Sequence, residues 1–379
     1  MIKPVRTTFI NRSPDLDAFC ESIPQNSAIG VDTEFVRERT YYPIFCLLQI
    51  STNDRVALID PLELTSLDSL KRVLANPRIL KILHSGRQDI EVLYQALGVL
   101  PSNLVDTQVA ASLIGYPDQI GYGRLVNDLF SIELGKEHTR TDWQQRPLSP
   151  DQLRYAADDV AYLPPAFKKL HTQLSTLGRA DWVTEDSYAL LDPTLYQNLP
   201  EFAWKRLSGT HDIPTDLLHR VKGLAAWREE TAQQLNLPRN WIIKDEDIHS
   251  LARMSRIDPM SIPRMRGLDH REQHRLNLEI TRLRPHADDI AGQRIPDRAN
   301  RPLPPDPRRK ALLKDLSQIV LVTAQNLSVS PGSLASRRDL ELLLDNPGIS
   351  RLTKGWRLSI IGERLLERLP THPGATSAS

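Results

Sequence analysis

Ile29-Gly30-Val31-Asp32-Thr33-Glu34-Phe35 is a short apolar run broken by two acids. Its length and its branched residues mark a β-strand, and alternate residues of a strand share a face, so Asp32 and Glu34 emerge side by side. Like charges in one patch are costly to bury unless a cation neutralises them, which makes the pair candidate ligands for a hard divalent ion. An edge strand showing both acids to water would account for them equally well. The run extends to residues 28–35, and further runs at 45–51, 55–59 and 79–83 read as strands of the same sheet. Helical spacing puts Leu67, Leu70, Val73 and Leu74 on one apolar face, and Ile90, Leu93, Tyr94 and Leu97 on another. The first three strands are joined by short connections containing Tyr42-Pro43 and Asn53-Asp54. These are too short for parallel crossovers, so the spacing predicts an α/β domain with a mixed sheet.

Asp89 follows the turn His84-Ser85-Gly86 and opens the helix that carries Ile90, Leu93 and Tyr94. A carboxylate in a first helical turn is also what the helix dipole favours, and that alone would explain it. Tyr155 and Asp159 stand four apart in a helical stretch and share a face, whereas Asp158 is turned about 100° away. An exposed acidic helix face would suffice for them taken singly. Together, Asp32, Glu34, Asp89 and Asp159 carry the charge that two divalent ions neutralise, the usual machinery of in-line phosphodiester cleavage. Tyr155 then orients or deprotonates the attacking water, and since a free phenol titrates near about pH 10, orientation is its main role.

The chain has 379 residues, 40% hydrophobic and 25% charged, values of a folded multidomain protein and not of a disordered or fibrous one. No apolar run reaches the roughly 18 residues of a membrane span, and the opening MIKPVRTTFI lacks the apolar core of a secretory leader. A cytoplasmic protein with no membrane partner is expected. Cys20 and Cys46 alone build neither a disulfide framework nor a thiolate zinc site. No G-x-x-x-x-G-K-[ST], G-x-S-x-G or H-E-x-x-H pattern occurs, and Gly121-Tyr122-Gly123 lacks the third glycine of a dinucleotide loop.

Residues 1–200 hold 19 Lys/Arg against 25 Asp/Glu, and residues 201–379 hold 29 against 22. Such an asymmetry suggests carboxylate chemistry in one half and the holding of an anionic polymer in the other. After residue 205 helical periodicity replaces the strand signals. Sliding the chain by 92 residues lays Ala232-Gln233 on Ala324-Gln325, Ile242 on Leu334 and Asp247 on Asp339, an internal duplication. The expected organisation is a first domain over 1–204, helical domains over 205–293 and 310–370, a proline-rich linker over 294–309 and a disordered tail over 371–379.

In chain order, Asp32-Thr33-Glu34, His84-Ser85-Gly86-Arg87-Gln88-Asp89 and Tyr155-x-x-x-Asp159 resemble the three motifs of the DEDD superfamily of 3′→5′ exonucleases, in the subgroup with tyrosine in its third motif. Leu47-Leu48-Gln49-Ile50, Asp106-Thr107-Gln108 and Asp142-Trp143 with Arg146-Pro147-Leu148 are similar to its bacterial ribonuclease D branch, and the helical blocks resemble the HRDC domains of that branch. The resemblance implies a ribonuclease H-like fold, with Asp32, Glu34, Asp89 and Asp159 as metal ligands and, with Tyr155, as the catalytic residues. It also implies two Mg2+ or Mn2+ ions as cofactor and the 3′ ends of transfer RNA precursors or other structured RNA as substrate, released as 5′-mononucleotides. Thr33 and His84 are expected substrate contacts, with a turn role for His84 of equal weight. Leu237-Pro238-Arg239-Asn240 fits the family's turn and Val329-Ser330-Pro331-Gly332 is a looser version, so Lys222, Arg228, Arg239 and Lys244 are the expected RNA contacts of the helical part. Two alternatives stay open: a DNA 3′→5′ exonuclease, because no residue is certain to read a 2′-hydroxyl, and an inactive nucleic-acid-binding or assembly protein, against which the complete set of acids and tyrosine argues. The oligomeric state is not readable from the sequence, with a monomer favoured.

Overall fold

The computed structural model describes residues 6–135, 141–209, 213–253 and 307–369. The expected linker lies outside these residues up to 306, as do residues 254–293 of the first helical block and the tail 371–379; residues 307–309 open a helix. The chain forms two compact units, Met1–Phe35 with Phe45–Asp192 and Pro307–Ser379, and Val36–Ile44 with Pro193–Asp306.

The first unit is built on a six-stranded sheet of β1 (Arg6–Ile10), β2 (Ala28–Val36), β3 (Ile44–Ser51), β4 (Arg55–Ile59), β5 (Leu80–Leu83) and β6 (Leu104–Asp106), in the order β1-β4-β3-β2-β5-β6. β1 runs parallel to β4, β2 to β5 and β5 to β6, while β3 and β4 are antiparallel with Leu48 opposite Ile59. The sheet is mixed, as the short connections dictate. β3 is buried from Phe45 to Ser51, the near-continuous apolar run of a strand covered on both faces. The edge strands β1 and β6 escape the sequence pattern because only Ile10 of β1 is buried and β6 has three residues.

Helices α1 (Ser13–Glu21), α2 (Asp68–Ala75), α3 (Arg87–Leu97), α4 (Thr107–Ser112), α5 (Tyr122–Phe130), α6 (Pro150–Ala161), α7 (Leu163–Thr176) and α8 (Ala180–Tyr188) complete this domain. α3 buries Ile90, Leu93 and Leu97 and stops at Gly98, whose φ of 72° suits a residue without Cβ. α6 starts on a capping box in which Ser149 and Gln152 satisfy each other's backbone N–H groups, with Pro150 preset for the first turn.

The helical part includes α9 (Thr215–Leu235), α10 (Arg239–Ile242) and α11 (Asp245–Arg253), then α12 (Pro307–Leu327), α13 (Pro331–Leu334) and α14 (Arg337–Asp345), after which short helical turns run from Pro347 to Leu366. Every boundary in the second set falls 92 residues after its counterpart in the first. Asn236 and Ser328 share a φ of 51°, and the bonds from Leu237 N to Ala232 O and from Val329 N to Ala324 O are both 3.0 Å. One helical unit is therefore present twice. The copies differ inside: Arg228, buried and paired with Asp245 at 2.7 Å, becomes buried Val320 in the second.

The second copy belongs to the first unit, and its contacts there are extensive. Trp356 stacks on Trp182 with ring centroids 4.2 Å apart, and Arg357 grips Asp186 with Nη2 2.7 Å from Oδ2. The Ser330 and Ser333 hydroxyls each donate to Asp118 at 2.7 Å, and Arg179 donates to Leu327 O at 2.7 Å. In the second unit, Tyr41 is buried beside Trp227 and Leu224 and donates to Glu229, which Arg239 holds with two bonds of 2.6 and 2.7 Å. Among the described residues no helix is long and apolar enough to cross a membrane.

Candidate active site

The site begins with a close approach. A Cβ on Gly30 of β2 would fall 2.4 Å from Ser51 Oγ, 2.9 Å from Leu163 Cβ and 3.1 Å from Val160 O, so only glycine lets the end of α6 settle here. Ser51 Oγ donates to Val160 O at 2.6 Å and fastens that end to the sheet. One residue before Val160, Asp159 meets the acids of β2: ligand oxygens of Asp32, Glu34 and Asp159 all lie within 4.8 Å of one another. Asp158 is not in this group.

Asp89 comes from the first turn of α3, and its Oδ1 accepts from Thr33 N at 3.1 Å and from Thr33 Oγ1 at 2.6 Å. It stands outside the tight trio but close enough that its charge, after burial, is the largest influence raising Asp32. The turn before α3 is held from below by Asp106, which accepts from Ser85 N at 3.0 Å and Gly86 N at 2.9 Å and also caps α4 through Gln108 N. Thr33 thus commits its hydroxyl to positioning Asp89.

The electrostatics follow from that crowding. Burial, then Asp89, Asp159 and Glu34, push Asp32 well above the carboxylate range; burial and Asp159 lift Glu34 to about 9. Burial lifts Asp159 to about 7 against a hydrogen bond from Tyr155, and Asp89 to about 6 against those from Thr33. Acids so placed do not all ionise unaided, and a cluster of hard oxygen donors that resists ionisation fits a divalent cation.

Tyr155 donates to Asp159, and its ring lies tilted against Trp143 at 6.2 Å. Burial and the negative charges of Asp159 and Glu34 push the phenol above its usual range. Trp143 is held by Arg146, which donates to Trp143 O, Cys46 O and Asp60 Oδ1 at 2.8 Å each. The Arg146-Pro147-Leu148 motif is therefore scaffolding for the wall beside Tyr155.

His84 is engaged at both ring nitrogens, Nδ1 with Thr107 Oγ1 at 2.9 Å and Nε2 with Ile120 O at 2.8 Å. Its ring packs against Tyr122 at 5.6 Å. Tyr122 is a site-side residue that sequence reasoning missed, since Gly121-Tyr122-Gly123 was weighed only as a nucleotide loop. Of the four cations expected to meet RNA, Arg228 is spent on Asp245 and Arg239 on Glu229, both within the helical unit. Lys222 lies over the Trp204 ring at 4.6 Å, and Lys244 is exposed 3.4 Å from Glu246.

Comparison with known proteins shows what the whole chain is similar to. Residues 7–175 match the model of a 3′-5′ exonuclease family. The chain is 37% identical to the ribonuclease D of Granulibacter bethesdensis over 370 residues, covering 95% of this chain and 91% of that protein. It is 36% identical to the ribonuclease D of Acidiphilium cryptum over 367 residues, 94% and 91% of the two chains. Among solved structures it is similar to Escherichia coli RNase D, described as an exoribonuclease involved in structured RNA processing, with 30% identity, a TM-score of 0.82, and coverage of 96% and 98% of the two chains.

Proposed function

The chain belongs to the ribonuclease D family of 3′→5′ exoribonucleases, and on that footing we propose that it trims the 3′ ends of structured RNA, transfer RNA precursors among them, in the cytoplasm. It releases 5′-mononucleotides by hydrolysis with two divalent ions, magnesium or manganese. The observation that carries this reading is the convergence of Asp32, Glu34 and Asp159 within 4.8 Å, with Asp89 pinned beside them by Thr33.

Asp32, Glu34, Asp89 and Asp159 would hold the ions. Bound there, they supply the positive charge that polarises water and the scissile phosphate and offsets the charge on the leaving 3′ oxygen. Tyr155, fixed by its hydrogen bond to Asp159, orients the attacking water in line with the bond. Trp143 excludes solvent from the tyrosine's flank. In the helical unit, with Arg228 and Arg239 held in buried pairs, Lys205 and Lys222 over their aromatic rings and Lys244 in its exposed pair with Glu246 are the cations that meet phosphates of the RNA.

The test is digestion of a 3′-labelled structured RNA and the matching DNA with magnesium, manganese or excess chelator. The expected result is 5′-mononucleotide release from RNA that chelator abolishes. Equal or faster release from DNA would move the assignment to a DNA exonuclease, and no release from either would leave an inactive binding protein.

A further inference from the structure

The C-terminal end of α6 departs from a regular helix at the turn that carries Asp159. In an unbroken helix the N–H of Tyr162 would donate to the carbonyl of Asp158, four residues back. Here Tyr162 caps the helix with its N–H directed to Val160 O, and the hydroxyl of Tyr122 stands between Tyr162 and Asp158: it accepts from Tyr162 N at 3.2 Å and donates to Asp158 O at 3.3 Å. A side-chain hydroxyl inserted into the helical ladder opens that turn and sets the direction of the residues inside it. Asp159 is the next residue after Asp158, and Val160 O, one further on, is the atom fastened to Ser51.

Tyr122 is itself fixed. Its ring packs against His84, which is anchored to Thr107 Oγ1 and Ile120 O, while Gln108 Nε2 also donates to Ile120 O at 3.0 Å. Thr107 Oγ1 lies 2.9 Å from Leu83 O at the end of β5. A continuous brace therefore runs from the segment that precedes Asp89, through His84 and Tyr122, to the turn that holds Asp159. It links the second and third acidic motifs.

We propose that Tyr122 is a positioning residue for metal binding by Asp159, holding the last turn of α6 open and keyed by His84 to the turn before Asp89. This deepens the reading of the site given above and rests on it. Such supporting residues commonly change metal affinity or turnover by about 10- to 100-fold.

Tyr122→Phe keeps the half-buried ring and deletes only the inserted hydroxyl, releasing Tyr162 N and Asp158 O from it. The full-length variant should bind manganese about tenfold more weakly by calorimetry without RNA, and should lose turnover to a similar degree, with KM for a short RNA within about twofold of wild type. A double-mutant cycle decides the route: if Tyr122 acts through Asp159, Tyr122→Phe should add little further loss of manganese affinity once Asp159→Asn is present. A fully additive loss, or wild-type metal affinity and turnover in Tyr122→Phe, overturns the proposal. If wild type binds no manganese and degrades no RNA, it is instead the assignment of the site that fails.

Discussion

Thr33 shows how the site is assembled one residue at a time. It lies between two acids on β2, and its N–H and hydroxyl both reach Asp89 Oδ1, 56 positions away. The strand period made the shared face of Asp32 and Glu34 legible, and the helical period picked Asp159 over Asp158. The Thr33 to Asp89 bonds were not legible, because no local pattern encodes a pairing between separate segments. Tyr155 yields the sharpest test at this scale. Tyr155→Phe preserves packing against Trp143 and removes only the hydroxyl, so turnover should fall by about 10²-fold or more with RNA affinity nearly unchanged, measured by single-turnover kinetics and equilibrium binding. Wild-type turnover would reduce Tyr155 to a packing residue.

Two elements set the geometry, β2 and the end of α6, and Gly30 is where they meet. Gly30→Ala puts a methyl against Ser51 Oγ and Val160 O and should destabilise the protein by about 1–3 kcal/mol while lowering turnover, as Asp159 is displaced. Adding Ser51→Ala removes the nearer obstacle, and thermal melts should show part of the stability restored; no cost from Gly30→Ala alone would mean the approach is looser than described. Strands with buried faces were readable from their apolar runs. β1, exposed along four of five residues, was not, because pairing with β4 is a backbone property that leaves no side-chain period. The duplication was readable because both copies bury residues at matching positions, Ile242 and Leu334 or Leu251 and Leu343.

Over the whole chain, the charge count could not say which cations of the helical half face outward, since ion pairing inside a module engages particular side chains and leaves the net charge as it was. Arg228 and Arg239 are the clear cases. Nor could the sequence show that residues 307–369 pack with the sheet domain, because that surface is made of scattered single residues: Trp182, Glu185 and Asp186 on α8, and Trp356 and Arg357 opposite them. A truncation at residue 205 therefore strips a partner from α8, and the remaining domain should be markedly less stable than the full chain. Asp186→Ala tests the same surface gently. It leaves the Arg357 charge buried without its partner and should cost about 3–5 kcal/mol, read as a lower denaturation midpoint. An unchanged midpoint would show the surface contributes nothing.

The account rests on one claim, that the four acids act as a metal site whose filling and RNA hydrolysis rise and fall together. Calorimetric titration of manganese into the full-length protein, paired with turnover on 3′-labelled RNA, tests it in wild type and in the Asn variants of Asp32, Glu34, Asp89 and Asp159. Wild type should take up two ions, and each substitution should weaken binding and abolish turnover together with the fold intact by circular dichroism. Asp89→Asn with near-normal turnover at low millimolar magnesium, or wild-type hydrolysis that persists in excess chelator, would contradict it.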